Sequence, residues 1–367
     1  FLSDRDWISN IWSYSNSSKK LTQITHFKNS DIKQLATNGE MLAFEQNGYL
    51  HSYDLATKTS TQLNINVVGD FPWAETKWLD VSDKASSASL SPTGKRVLMQ
   101  ARGEVFTVPA EHGNTRNITQ SSGAADRAPI WSPKGNKIAW FSDQGEKGYQ
   151  LMLQNQDGLT SASTISIGKS KMAWEPTWSP DGELIAFVDD DVRIRVLNLK
   201  TQKIKTVDVG GNNLERGYNG LKWSTDSQWL AYSKTASNSF RQITVWSRDK
   251  NKVTALTNKF ADSFSPSWDL GGKHLYFLAS TDVALNTGWA NTSSMTSKAS
   301  YGAYVINLNK EDDSPFIARS DEEKVAEKKS DKDDKKDKKD KKDDESEKVE
   351  PVQIDFAGIE RRIMALP

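Results

Sequence analysis

The chain has no cysteine, only four histidines and no long apolar segment, and each of these absences excludes a class of function. Without cysteine it forms no disulfide and no cysteine-ligated zinc site, and it has no thiol nucleophile. No histidine has a histidine partner at metal-ligand spacing; the four are His26, His51, His112 and His274. No apolar run approaches the roughly 18 to 20 residues that cross a bilayer, so we expect no membrane span.

An excess of charge of one sign is also missing. Lysine plus arginine number 48 and aspartate plus glutamate number 48, so the formal net charge is zero and we expect no nucleic-acid partner. The sequence lacks a G-x-S-x-G nucleophile elbow, a Walker loop and a dinucleotide fingerprint. Asp189, Asp190 and Asp191 lack the alternating ligands of a calcium loop, and we interpret them as a hairpin turn. We therefore predict no catalytic, cofactor-binding or metal-binding residue.

The sequence does contain a repeated motif, a tight polar turn that leads into a short apolar strand. It is clearest in WSPKGNKIAWF, residues 131–141. The fourth turn residue recurs at separations of 41, 47, 45 and 45 residues, at Gly94, Gly135, Gly182, Ser227 and Gly272. A period near 45 residues is typical of a β-propeller, in which each repeat is one four-stranded blade. Proline and glycine suit the corners of such a turn.

The strand after each turn is apolar on both faces, as expected for a strand covered on both sides by neighbouring sheets. A tryptophan precedes the turn in four copies, at Trp131, Trp178, Trp223 and Trp268. We expect these side chains to pack between adjacent blades rather than to bind a ligand. The pattern thus predicts an all-β chain of repeated four-stranded blades.

The ends of the chain depart from the regular repeat. Residues 1–25 resemble the second half of a blade, so we expect the sequence to begin inside a blade and to be a piece of a longer protein. Residues 31–63 form a degenerate repeat, with its turn at residues 37–40. The proline- and aromatic-rich stretch 67–83 then indicates either a junction between two propellers or a long loop between blades.

Two further segments are polar. Residues 282–300 are rich in Ser, Thr and Asn and are expected to form a surface loop. Residues 321–350 hold 11 lysines and 14 acidic residues, a composition that cannot bury a core, so we expect a disordered, solvated insert. Order is expected to resume at residues 352–356.

Several stretches resemble the tricorn-like proteases. The Ser-Pro-x-Gly type of turn alone is weakly specific, because TolB-like propellers and the propellers of prolyl oligopeptidase relatives share it. More specific stretches are ARGEVFTVPA at residues 101–110, TRNIT at 115–119, and the segments 69–78 and 354–362. The resemblance covers essentially the whole chain apart from the lysine-aspartate insert.

The resemblance implies a large serine peptidase of the tail-specific protease clan, with a six-bladed propeller, a seven-bladed propeller, a PDZ domain and a catalytic domain. It assigns residues 1–68 to the last blades of the first propeller and 69–320 to five blades of the second. Residues 321–350 would be the disordered insert, and 351–367 would start a further blade. The family's catalytic Ser and His belong to its carboxy-terminal region, so we expect none of them here.

The leading hypothesis is a non-catalytic propeller region that guides peptides or unfolded polypeptide to a protease domain and excludes folded proteins. Its expected partners are the PDZ and protease domains of the same protein, and the resemblance allows a homo-oligomer. The alternative is a TolB-like interaction propeller without an enzymatic role. A third candidate is the propeller of a prolyl oligopeptidase relative, which requires a downstream α/β-hydrolase domain. We expect a periplasmic location, with the cytoplasm as the alternative.

Overall fold

The structure is a computed structural model that describes residues 1–145, 148–168, 172–210, 219–281, 300–316 and 349–367. The predicted surface loop at 282–300 and the predicted disordered insert at 321–350 lie outside the described residues, except for 300, 349 and 350. The chain divides into two compact units, Phe1–Leu79 and Asp80–Pro367. The division falls inside the stretch 67–83, for which the sequence predicted either a junction between propellers or a long loop between blades.

The first unit holds two antiparallel sheets. The three-stranded sheet contains β1 (Leu2–Ser3), β2 (Asn10–Tyr14) and β3 (Leu21–Gln23). The four-stranded sheet contains β4 (Ile32–Thr37), β5 (Met41–Gln46), β6 (Tyr49–Asp54) and β7 (Thr59–Gln62). They lie where the sequence predicted half a blade and a degenerate repeat. Their shared core is built on Ile11, Ile32, Phe44 and Tyr53.

The second unit holds five four-stranded antiparallel sheets, each made of four strands that follow one another in the chain. Blade one contains β8 (Ala85–Leu90), β9 (Arg96–Ala101), β10 (Glu104–Pro109) and β11 (Arg116–Asn117). Blade two contains β12 (Asp126–Trp131), β13 (Lys137–Ser142), β14 (Gln150–Asn155) and β15 (Ser163–Ile165). Blade three contains β16 (Ala173–Trp178), β17 (Leu184–Asp189), β18 (Arg193–Asn198) and β19 (Ile204–Val209).

Blade four contains β20 (Lys222–Trp223), β21 (Trp229–Thr235), β22 (Arg241–Ser247) and β23 (Lys252–Ala255). Blade five contains β24 (Asp262–Trp268), β25 (His274–Ser280), β26 (Gly302–Asn307) and β27 (Ile363–Ala365). The first strands of consecutive blades, β8, β12, β16, β20 and β24, contact one another in turn. They are the innermost strands, and this arrangement is that of a β-propeller, which confirms the predicted fold class.

Short 3₁₀ turns complete the described structure, at Pro72–Ala74, Ser82–Lys84 and Ile359–Arg362. No helix in the described part of the chain is both long enough and apolar enough to cross a bilayer.

The serine of the repeated turn explains why the turn is so regular. In blade three the Ser179 hydroxyl oxygen accepts a hydrogen bond from the Leu184 amide at 2.9 Å, so it satisfies the first donor of β17. In blade four the Ser224 hydroxyl oxygen accepts a hydrogen bond from the Trp229 amide at 2.9 Å in the same way. The fourth turn residue has a left-handed backbone, with φ of 79° at Gly182 and 62° at Ser227. A small side chain is therefore favoured there.

In blades two, three and four the second strand supplies core to both neighbouring blades. All six residues of β17 are buried. Ile185 and Phe187 pack with blade two, whereas Leu184, Ala186 and Val188 pack with blade four. Because successive side chains of a strand point to opposite faces, one apolar strand fills two interfaces. The prediction that this strand is covered on both sides is confirmed for blades two to four.

The tryptophan before the turn packs across the boundary between blades, as predicted. Trp131 of blade two is buried against Leu98 and Val105 of blade one. The Trp223 Nε1 donates to the Thr177 carbonyl of blade three at 3.3 Å, and the Trp268 Nε1 donates to the Lys222 carbonyl of blade four at 3.0 Å. The indole therefore adds apolar area between the blades, and at Trp223 and Trp268 it also adds a hydrogen bond.

A β-bulge interrupts the innermost strand three residues before that tryptophan. Ala128, Glu175 and Ser265 have φ of 51°, 51° and 54°, and the register shifts across each of them. A proline follows each one in the sequence, and it has no backbone N–H to leave unpaired at the break. Gly220 occupies the same place in blade four with φ of 64°. Bulges re-aim side chains next to functional openings in many proteins.

The prediction that residues 351–367 start a further blade is wrong for the strand Ile363–Ala365. This strand, β27, pairs with β26 through Val305 and Met364 and completes blade five. The segment before it is anchored on blade four, because Trp229 Nε1 donates to the Val352 carbonyl at 3.1 Å and the Val352 amide donates to Asp226 at 2.8 Å. Because β26 and β27 are the third and fourth strands of blade five, the charged insert at 321–350 lies between these two strands in the sequence.

Replacing Trp223 by alanine should test the packing between blades. The side chain is only 8% exposed, and its loss should lower the free energy of unfolding of the second unit by about 3 to 5 kcal/mol in urea denaturation. The matched control is Phe260→Ala in the same unit, because Phe260 is 83% exposed, and its effect should stay within about 0.5 kcal/mol. Equal effects of the two substitutions would contradict the assigned packing.

The pairing of β27 can be tested by Met364→Pro. The substitution removes the amide at the residue opposite Val305, so the backbone amides of residues 302–307 should exchange with deuterium at least about tenfold faster. Residues 104–109 of blade one serve as the internal control and should keep their protection. Unchanged exchange at 302–307 would show that β27 belongs to another sheet.

Candidate functional site

The four histidines are not brought together. His26 and His112 are exposed, and His51 stacks on Phe44 with ring centroids 5.3 Å apart. His274 lies in blade five, where its Nδ1 is 2.9 Å from an Asp269 carboxylate oxygen. Within the described ranges no group of three or more His, Asp or Glu residues could hold a metal ion. Their positions fit structural roles in separate sheets.

The acidic triplet ends β17 and forms a hairpin, as predicted. Asp189 is fully buried, and its carboxylate accepts hydrogen bonds from Arg193 Nε at 2.8 Å and Arg195 Nη1 at 2.7 Å. It also accepts the Arg193 amide at 3.0 Å. The buried charge is thus neutralised by two guanidinium groups of the neighbouring strand, which is a structural use of a carboxylate.

The bulges give the innermost strands an unusual inner surface. The position three residues before the turn tryptophan, or its equivalent in blade one, is held by small or polar side chains: Ser87, Ala128, Glu175, Gly220 and Ser265. In β8 the side chains of Ala85, Ser86 and Ala88 are exposed. In β24 the Ser265 side chain is exposed as well. Small exposed side chains thus occur on the innermost strands of blades one and five.

Glu175 is the charged member of this row, and it joins two blades. Its carboxylate oxygens accept the backbone amides of Asn219 at 2.8 Å and Gly220 at 2.7 Å, where the chain enters blade four. Burial raises the pKa of Glu175, while hydrogen bonds from these amides and from Leu221 oppose the rise. Sequence reasoning missed this residue, since its one signal was an acidic side chain at a position of small residues.

Other polar contacts also tie neighbouring blades together. The phenol of Tyr232 donates to Asp208 of blade three at 2.6 Å, and Lys234 Nζ lies 2.6 Å from the same carboxylate. Burial and the contact with Asp208 raise the pKa of Tyr232, so the phenol stays protonated at neutral pH. Arg248 of blade four bridges Asp181 and Glu183 of blade three at 2.6 and 2.5 Å. These contacts hold the blades in register.

The shifted pKa of Glu175 predicts a pH dependence of stability. Because the folded-state pKa lies above its ordinary value of about 4.5, the folded state binds the proton more tightly, and the contribution of Glu175 to stability falls as pH rises through the window above that value. Urea unfolding from pH 4 to 8 should therefore show the advantage of the wild type over Glu175→Gln shrinking with rising pH. An advantage that grows with pH would contradict the assignment.

Comparison with known proteins gives a family. The family model described as the tricorn protease second beta propeller domain matches residues 85–367, which is most of the chain. A putative tricorn-like protease C-terminal subunit from Sulfurisphaera tokodaii is 24% identical over 279 residues, covering 76% of this chain and 31% of that protein. A tricorn protease homolog from Saccharolobus solfataricus is also 24% identical, over 76% of this chain and 25% of its own length.

The solved structures agree at the level of the fold. The crystal structure of the tricorn protease aligns with a TM-score of 0.56 and 17% sequence identity, and the alignment covers all of this chain and 33% of that one. The matched region thus spans between a quarter and a third of the length of these relatives. Together with the five blades described above, the family match shows that this chain belongs to the tricorn protease second β-propeller family.

Proposed function

We propose that this chain is the non-catalytic propeller region of a tricorn-like serine peptidase. In this proposal it guides peptides or unfolded polypeptide to a protease domain located elsewhere in the same protein, and it keeps folded proteins out. The family match supports the parent activity, because several curated relatives of the chain are named tricorn proteases. The first unit would then supply the last blades of a preceding six-bladed propeller, and the second unit would belong to a seven-bladed one.

The observation that carries the guiding role is the composition of the innermost strands. Apolar side chains of the second unit are used between blades, so the inner strands are free to carry small residues at the bulges. A passage lined in this way selects by width, because a folded domain cannot enter where an extended chain can. Backbone groups exposed beside small side chains offer hydrogen bonds of equal quality to any sequence.

The proposal extends to partners and compartment. The protease and PDZ domains of the same protein would be the fixed partners, and peptides or unfolded polypeptide the transient ones. Self-association would place several such propellers around shared protease domains. We propose a periplasmic location for the protein, and a signal peptide at the start of its complete reading frame is the observation to seek.

Narrowing the passage should test the guiding role in the full-length protein. Ser265→Trp, at an exposed bulge, and Ala88→Trp, on the exposed inner strand β8, both add bulk to innermost strands. We expect kcat/KM for a 30-residue unstructured peptide to fall at least about tenfold, while kcat/KM for a tripeptide substrate changes less than about twofold.

The matched control is Thr206→Trp, since Thr206 is exposed on β19, the outermost strand of blade three. It should leave both substrates unaffected. Equal loss for long and short peptides would indicate damage to the protease rather than a narrowed passage. A full-length protein that has no peptidase activity towards either substrate, and instead binds a partner protein, would favour the TolB-like alternative.

A further inference from the structure

A cavity of about 470 Å³ lies between blades one and two. One wall is the segment that leaves β11, residues 118–121, and the opposite wall is the loop between β14 and β15, residues 158–162. Trp140 and Met152 of blade two form its apolar floor. The volume lies within the roughly 300 to 1,000 Å³ of typical small-molecule sites. Neither the blade architecture nor the proposed passage requires this space.

The walls of the cavity are held in place by specific contacts. Arg116 Nη1 donates to the Asp157 carbonyl at 2.9 Å, which ties the end of blade one to the loop of blade two. Gly158 has φ of 69°, and a Cβ there would lie 2.9 Å from the Ile118 side chain. The two walls therefore meet at this point and stay apart elsewhere. A fixed opening of this kind is preorganised for a ligand.

The charged side chain that lines the cavity is Asp126. It is 1% exposed, and its two oxygens accept hydrogen bonds from Trp140 Nε1, at 2.9 Å, and from the Ser121 hydroxyl. Among the described residues no Lys, Arg or His forms an ion pair with it. None of the described residues that line the cavity is cationic, so among them the carboxylate of Asp126 has no cationic neighbour. A buried charge of this kind attracts a counter-ion.

Gln154 adds an unused acceptor to the same cavity. Its side chain is only 8% exposed, and its Nε2 donates to the Thr160 carbonyl. That contact fixes the amide orientation, because the flipped amide would set two acceptors against each other. The Gln154 Oε1 is then left buried with no hydrogen-bond partner in the described part of the chain. An orphaned buried acceptor costs free energy that a ligand donor would recover.

Three of the lining hydroxyls already use their donor. The Ser121 hydroxyl donates to Asp126, the Thr119 hydroxyl donates to Glu104, and the Thr164 hydroxyl donates to Met152 sulfur at 3.5 Å. Gln120, Gln144, Thr160 and Ser161 also line the cavity, and their amide or hydroxyl oxygens can accept hydrogen bonds beside the Asp126 carboxylate. The complementary ligand has several N–H donors, a positive charge and a short alkyl stem.

We propose that this cavity binds an alkylammonium group, which displaces the Ser121 hydroxyl from Asp126 and donates to Gln154 Oε1. The stem of the ligand would lie on Trp140 and Met152. Two sources supply this chemistry: a free diamine, and the side chain of a lysine in a polypeptide. The site is independent of the proposed guiding role, and it persists even if the inner passage carries no peptide.

Calorimetric titration of the complete chain tests the proposal with 1,4-diaminobutane for the free diamine and Nα-acetyl-lysine amide for the lysine side chain. We expect saturable binding of at least one of them, and the tighter of the two identifies the source. The neutral counterparts, 1,4-butanediol and the Nε-acetylated lysine amide, should bind at least about tenfold more weakly, because they lack the charge. This comparison needs only the wild-type protein.

Asp126→Asn keeps the shape and hydrogen-bonding reach of the side chain but removes its charge, and it should weaken binding at least about tenfold. Gln154→Met should weaken it less. The matched control is Asp157→Asn in the same loop, which removes an equal charge outside the cavity lining and should change affinity less than about threefold. Equal binding of charged and neutral probes, equal affinity in Asp126→Asn, or no binding of either cation below about 10 mM would overturn the proposal.

Discussion

A four-stranded sheet whose second strand is apolar on both faces must be covered on both sides, and this constraint governs the whole second unit. Ile185 and Phe187 pack with blade two, while Leu184 and Val188 pack with blade four, so the loss of either neighbour would expose apolar side chains of blade three. The free energy of folding is therefore held between blades rather than within them. The repeated turn, the tryptophan before it and the period near 45 residues all serve this one packing arrangement.

Because the second strands fill most of the core between blades, the innermost strands contribute to it mainly through the tryptophan at their end. They tolerate bulges, left-handed residues and small side chains, which would be costly in a strand that filled a core. Glu175 uses one such position to bind the entering backbone of blade four, at Asn219 and Gly220. The inner surface is thus shaped by what the interfaces do not require, and the proposed passage for extended polypeptide rests on that division.

The turn, the apolar second strand and the tryptophan could be predicted from the sequence, because each depends on a local pattern that recurs. The strand Ile363–Ala365 could not, since its partner Val305 lies on the far side of a long charged insert and three residues carry no periodicity. Glu175 and the cavity beside Asp126 were missed for a related reason. Their chemistry arises where two blades meet, and no stretch of sequence contains both halves of an interface.

Site-specific photo-crosslinking in the full-length protein tests the central claim most directly. A photoreactive amino acid at position 265, on the innermost strand of blade five, should form a covalent adduct with a labelled unfolded polypeptide supplied as substrate. The same probe at position 206, on an outermost strand, should form none. Adducts at 265 but not at 206 are the predicted result. Equal adducts at both positions, or none at either, would contradict a peptide passage along the inner strands.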